Sequence, residues 1–153
     1  AYSPDDPVGI SKEITKWLEA NPNAPIGDVV VPDVDPKSVD WERDRRTDGT
    51  FVFMGNTYQC RPQDRENIAG AATAALAAMM TGAQAGNYRW HGGNSDFMWI
   101  DADNNMHPMD AQTMFALGQT AMAHKQAHVF AARALKDMVP IPHDYNTNEE
   151  YWP

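Results

Sequence analysis

The sequence has a single cysteine, Cys60, in 153 residues. One thiol excludes an internal disulfide framework and any zinc site built from several cysteines, and it suits a reducing compartment. Positive charge is also scarce: 12 Lys and Arg stand against 21 Asp and Glu, a net charge of −9. A surface of that sign repels phosphate backbones and anionic lipid, so neither nucleic acid nor membrane is expected as a partner. No apolar run approaches the roughly 20 residues of a membrane-spanning helix. The opening AYSPDDPVG has no basic segment followed by an apolar one, which reads as a cytosolically made chain that has lost its initiator Met. Phosphate loops of the G-x-x-x-x-G-K-[ST] type, G-x-G-x-x-G turns and G-x-S-x-G elbows are absent, leaving phosphoryl, hydride and serine-based acyl transfer without visible apparatus.

What is present divides by its prolines. Six of the 11 fall before residue 40 and three after residue 139, with Pro62 and Pro108 between. Proline removes a backbone donor and biases the residue before it to extended geometry. Residues 1–48 therefore read as a Pro-rich N-terminal arm, residues 49–137 as a folded α+β core and residues 138–153 as an extended C-terminal tail. One short helix fits in the arm, with Ser11 as N-cap, Ile14, Trp17 and Leu18 on one face, and Asn21 and Pro22 ending it. Residues 26–34, centred on three valines, read as an edge strand or extended arm. The acidic stretch 28–48 reads as solvated, although the mixed charges after Trp41 would suit a specific interface.

In the core, FVFMGNTYQC is two β-prone runs around Gly55 and Asn56, a tight hairpin. Pro62 suits a first helical turn, and the Ala-rich run to Met80, followed by Gly82, predicts a first long helix. Its apolar positions Ile68, Leu76, Met79 and Met80, with Ala72 and Ala75 between, make a thin stripe that a second helix can approach closely. Residues 87–109 alternate around two turn clusters and predict a three-stranded meander. Asp110 then caps a second long helix reaching about Asp137, with Arg133 and Lys136 favourably placed near its end. Met114, Leu117, Ala121, His124, His128, Ala131 and Leu135 follow a coiled-coil-like 3-4 spacing. Phe115, Met122 and Val129 widen that seam and Phe130 lies on a further side, so this helix is expected to touch both its partner helix and another protein. The fold expected is thus two long helices in an antiparallel, hairpin-like pair, a small hairpin and meander, and extended arms.

Candidate chemistry is thin. His124 and His128 have a spacing that can place two imidazoles on one metal, but they occupy seam positions, no Glu adjoins His124, and a third ligand would have to come from His91 or His107. Asp101, Asp103 and Asn105 resemble the start of a calcium loop, yet Met106 stands where a glycine is needed and Gln112 where a bidentate Glu is needed; a tight turn between strands is the reading adopted. Cys60 lacks the local signature of a cysteine nucleophile. Trp90, Trp99, Tyr88 and Phe97 could form a platform for a sugar ring, but read as cross-strand aromatics that hold a small sheet together. No catalytic residue, metal or cofactor is therefore expected, and the residues expected to make contacts are Trp17, Trp41, Met114, Leu117, Ala121, His124, His128, Phe130, Leu135, Tyr151 and Trp152.

The order of features over residues 55–136 resembles a domain-of-unknown-function family that recurs toward the C-terminal end of tailed-bacteriophage tail-fibre and baseplate proteins. The features are Gly55, Thr57 and Tyr58 in the hairpin, Arg65 to Ile68 leading an Ala-rich helix, Trp90, the turn from Trp99 to Asn104, Met109 and Asp110 opening a helix, His124 within it, and Ala131, Arg133 and Lys136 near its end. The resemblance implies a virion structural part, made in the host cytoplasm, present in several copies and bound to other tail, baseplate or fibre proteins. A tail-fibre assembly chaperone is the alternative from a different class, and a metal-dependent enzyme using His91, His107, His124 and His128 is a third.

Overall fold

A computed structural model describes residues 10–23, 27 and 31–153, in two compact units, residues 1–32 and 33–153. In the first, helix α1 (Ile10–Ala20) forms where the spacing of Ile14, Trp17 and Leu18 predicts it, beginning one residue before Ser11. Asn21 closes it by donating its side-chain N–H to the Trp17 carbonyl at 2.8 Å. Trp17 is 56% exposed. Residues 26 and 28–30 of the strand-like stretch at residues 26–34 lie outside the described residues, and residues 31–35 have no regular structure.

The second unit departs from the expected arm at its first element. Residues expected to belong to an extended arm form a helix, α2 (Pro36–Thr47). Proline density, the ground for the arm, stops at Pro36, which sits at the first helical position, where a missing N–H costs nothing. Asp35 caps the helix by accepting from the Lys37 N–H at 2.9 Å. Arg43 with Asp40, and Arg45 and Arg46 with Glu42, then pair one turn apart. Val39, fully buried, fixes α2 on the last long helix.

Strands β1 (Thr50–Phe53) and β2 (Asn56–Gln59) pair antiparallel with Phe51 opposite Tyr58. Met54 and Gly55 make the turn, both at positive φ (49° and 81°). A two-residue loop with two positive φ values matches the right-handed twist of the strands, and Asn56, expected in the turn, begins β2 instead. Helix α3 (Pro62–Met80) starts on its proline, with Asp64 accepting from the Arg61 N–H at 3.0 Å. Gly82 follows it at φ 101°. Helix α4 (Ala111–Lys136) is capped by Asp110, whose Oδ1 accepts from the Thr113 N–H at 2.8 Å. The other oxygen of that carboxylate accepts from Gly86 N–H at 2.7 Å, tying the loop after α3 to the start of α4.

The three-stranded meander does not form. Two strands do, β3 (Met98–Ile100) and β4 (Met106–Pro108), paired antiparallel. Its first strand reduces to turns joined to Phe97 by one backbone hydrogen bond, Phe97 N–H to Tyr88 O at 2.7 Å. Glycine and polar residues dominate residues 91–96, so there is no alternating apolar face to bury. Aromatic contacts hold the loop instead: Trp90 and Phe97 lie 4.6 Å apart between ring centres, and the Trp90 indole donates to the Met109 carbonyl.

The C-terminal tail is also corrected. It folds back as turns and a short 3₁₀ segment, Glu149–Tyr151, and buries Ile141 and Trp152 against Val39, Ala132 and Leu135. A larger cluster of Phe51, Tyr58, Cys60, Ile68, Ala75, Met109, Met114, Leu117 and Ala121 joins the β1–β2 hairpin to α3 and α4. Helix α4 contributes to both clusters, which is why its apolar positions run its whole length.

Candidate functional site: an apolar groove and a buried polar joint

Most of the residues expected to bind other proteins are buried within this chain. Met114, Leu117, Ala121, His128, Leu135 and Trp152 are all under a tenth exposed, and His124 and Tyr151 are half-buried. The seam of α4 is covered by α3 and the hairpin in its first half and by α2 and the tail in its second. Its members are core residues, because α2 and the folded-back tail cover the side of α4 that was expected to meet another protein. Trp41 and Phe130 remain outside, 70% and 63% exposed.

The second line on α4 stays open. Phe115, Gly118, Gln119, Met122 and Lys125 form one wall of a groove of about 650 Å³ whose other wall is Arg65, Ala69, Ala72, Thr73 and Leu76 of α3. The spacing on α4 is i, i+3, i+4, i+7, a single helical face. The groove exists because the floor is made of small residues: the two helices approach at Gly118 and Ala72, and no large side chain fills the channel above them. Met122 is 66% exposed and Leu76 42%. Arg65, Glu66 and Lys125 put charge on the rim. An apolar channel with a charged rim suits the apolar face of a protein segment. The helical periodicity of Phe115 and Met122 signalled this face, but not that it would be left uncovered.

Where α2, the hairpin, α3 and α4 meet, polar groups are buried. Arg65 donates to Asp48 Oδ1 at 2.7 Å and to the carbonyls of Thr47 and Cys60. Cys60 is fully buried, and burial pushes its thiol up from the usual value, the opposite of an activated nucleophile. The His124 and His128 rings lie 4.5 Å apart between centres, tilted at 58° to each other. The Nδ1 of His128 contacts the His124 carbonyl at 2.9 Å, which requires the hydrogen on that nitrogen. Burial, and then the neighbouring His128, hold the His124 imidazole below its ordinary pKa. Its Nε2 and the Thr47 hydroxyl are buried without hydrogen-bond partners among the described residues. The other two histidines considered as ligands lie elsewhere: His91 packs on Trp90 and Phe97, and His107 Nε2 is bound to Asp101 at 2.8 Å. Among the described residues, no three His, Cys, Asp or Glu side chains are grouped to hold a metal.

Asp101 is the turn residue that the spacing of Asp101, Asp103 and Asn105 suggests. Its Oδ1 accepts from the N–H groups of Asp103 and Asn105, and its Oδ2 from the Asn105 amide and His107. The His107 hydrogen bond, followed by that from the Asn105 backbone, lowers its pKa to about 2. With both oxygens committed to N–H donors, the carboxylate closes the β3–β4 turn.

A family described as a domain of unknown function (DUF4376) matches residues 34–151. The match starts before α2 and ends in the folded-back tail, so both segments belong to the domain and not to arms outside it. No curated protein and no solved structure matches the chain.

Proposed function

This chain belongs to the DUF4376 family, and we propose that it is a non-enzymatic structural component of a bacteriophage tail, in a tail fibre, baseplate or tail tip, acting through protein contacts. The likeness of its motifs to those of phage tail proteins supports the phage assignment. The observation that carries the mode of action is the open groove between α3 and α4, whose apolar wall at Leu76, Phe115 and Met122 is left over after the chain has completed its own cores. In this reading α3 and α4 form a hairpin-like antiparallel pair that receives a segment of a neighbouring tail protein or of another copy, as helix-in-groove recognition does. Assembly takes place in the bacterial cytoplasm, and the finished location is the virion.

The test is to purify particles of the encoding phage and probe them for this protein. A stoichiometric tail component is expected. Absence from finished particles, with presence in infected cells bound to a fibre protein, replaces this reading with that of an assembly chaperone. Met122→Asp should leave the protein folded and remove it from particles.

A further inference from the structure

A second cleft, of about 680 Å³, lies between β2, the first turns of α3 and the β3–β4 hairpin, and Trp99 lines it. Its size is within the roughly 300–1,000 Å³ of small-molecule sites. Three tryptophans in the second unit are half-buried or buried. Trp90 donates its indole N–H to the Met109 carbonyl and Trp152 to the Tyr145 carbonyl, as buried indoles usually do. Trp99 has no acceptor among the described residues, and its ring is backed by Phe97, stacked at 6.1 Å. A ring supported from behind, with a free N–H beside a cleft, is a ready platform.

The rest of the lining decides what the platform would take. Asn67 and Asn104 reach the cleft; the Asn67 Oδ1 accepts a long hydrogen bond from Gln63 at 3.5 Å, leaving its N–H groups free, and the amide of Asn104 has no partner among the described residues. Asn104 sits at φ 66°, a left-handed conformation that asparagine tolerates, at the tip of the β3–β4 turn. The two carboxylates present are already engaged: Asp64 pairs with Arg61 at 2.7 Å, and Asp101 accepts four N–H groups. No basic side chain lines the cleft, and Arg61 at its edge is already held by Asp64 and Gln59, so a phosphate or carboxylate would meet two carboxylates and no free cation, while a metal ion would have to displace N–H donors from the carboxylates. Planar amides that offer donor and acceptor together, beside an indole face, match the vicinal hydroxyls and the C–H face of a pyranose. We propose that this cleft binds a neutral saccharide, with a sugar ring on Trp99 and its hydroxyls on Asn67 and Asn104.

The full chain, labelled with ¹⁵N, would be screened on a broad glycan array and titrated with methyl glycosides and short oligosaccharides of glucose, galactose, mannose and N-acetylglucosamine. The Trp99 indole N–H signal should shift saturably with at least one of them while that of exposed Trp41 stays in place. Trp99→Ala and, independently, Asn104→Ala should each weaken binding about tenfold or more. Trp99→Phe should keep part of it, with the remaining amide signals showing the fold intact. The proposal is overturned if no array glycan binds and no sugar moves the Trp99 signal, or if the binding survives both alanine variants.

Discussion

A methyl group built on Gly118 of α4 would stand 2.5 Å from the Cβ of Ala72 on α3. That distance sets two effects against each other. Alanine is favoured over glycine within a helix by about 1 kcal/mol, but a Cβ pair so close forces the helices apart, and overpacking of this kind costs about 1–3 kcal/mol. The clash should win, so Gly118→Ala is expected to lower stability in denaturant melts. Adding Ala72→Gly should restore much of the loss, because it empties the contested space; two independent losses would mean that the contact is not the cause.

Trp152 should carry more of the tail's attachment than the ion pair beside it. Its indole is buried, lies under the Arg46 guanidinium at 5.0 Å, stacks near His128 and donates to the Tyr145 carbonyl at 2.7 Å. Trp152→Ala is expected to destabilise the second unit by about 3–5 kcal/mol. Glu149, paired with Arg46 at 2.6 Å, has a side chain 76% exposed, and screening makes such pairs weak. Glu149→Gln should therefore cost a small fraction of the tryptophan change in the same melts.

His124 gives the stability a pH dependence with a definite sign. Its folded pKa lies below the ordinary 6.5, first through burial and then through the neighbouring His128. Below 6.5 the unfolded chain takes up a proton that the folded chain resists, so stability is full above that value and falls as pH drops toward the folded pKa. Chemical denaturation between about pH 7.5 and 5 should show the fall, and His124→Gln should flatten part of it. An equal slope in both proteins would place the dependence on other groups.

Asp101 acts in a lower window. Its pKa of about 2 means that its contribution is present above the ordinary carboxylate value near 4 and is lost as pH falls from there toward 2. Asp101→Asn should remove that acid step and loosen the β3–β4 turn, read as faster amide exchange at Asn105.

The local signals were the legible ones. Pro62 and Asp110 start the two long helices, Gly82 follows the first, and Gly55 marks the hairpin, each through chemistry that acts within a few residues. Helix α2 was equally local but was masked by the prolines before it, although the charge spacing from Asp40 to Arg46 was visible. The tail was not legible: Trp152 meets Arg46 more than a hundred residues away, and nothing periodic precedes it. The candidate sites divide in the same way. Periodicity marked the α4 face but could not say which stripe would be covered, since α2 and the tail were expected to be elsewhere. The free indole of Trp99 depends on which carbonyls the fold brings near the other two.

Two residues one turn and one position apart on α4 separate folding from assembly. Leu117 is fully buried, and an aspartate there would bury an unpaired charge, enough to unfold a domain of this size. Met122 is 66% exposed on the groove wall, where a polar change alters the stability of the chain itself by only about 0.5 kcal/mol. Met122→Asp should thus melt like the parent protein but lose its association with a tail partner or a second copy, measured by light scattering and by co-purification. Leu117→Asp should fail earlier, as insoluble or unfolded protein. If Met122→Asp retains every association of the parent, the groove is not the contact surface, and exposed Trp41 and Phe130 become the next positions to change.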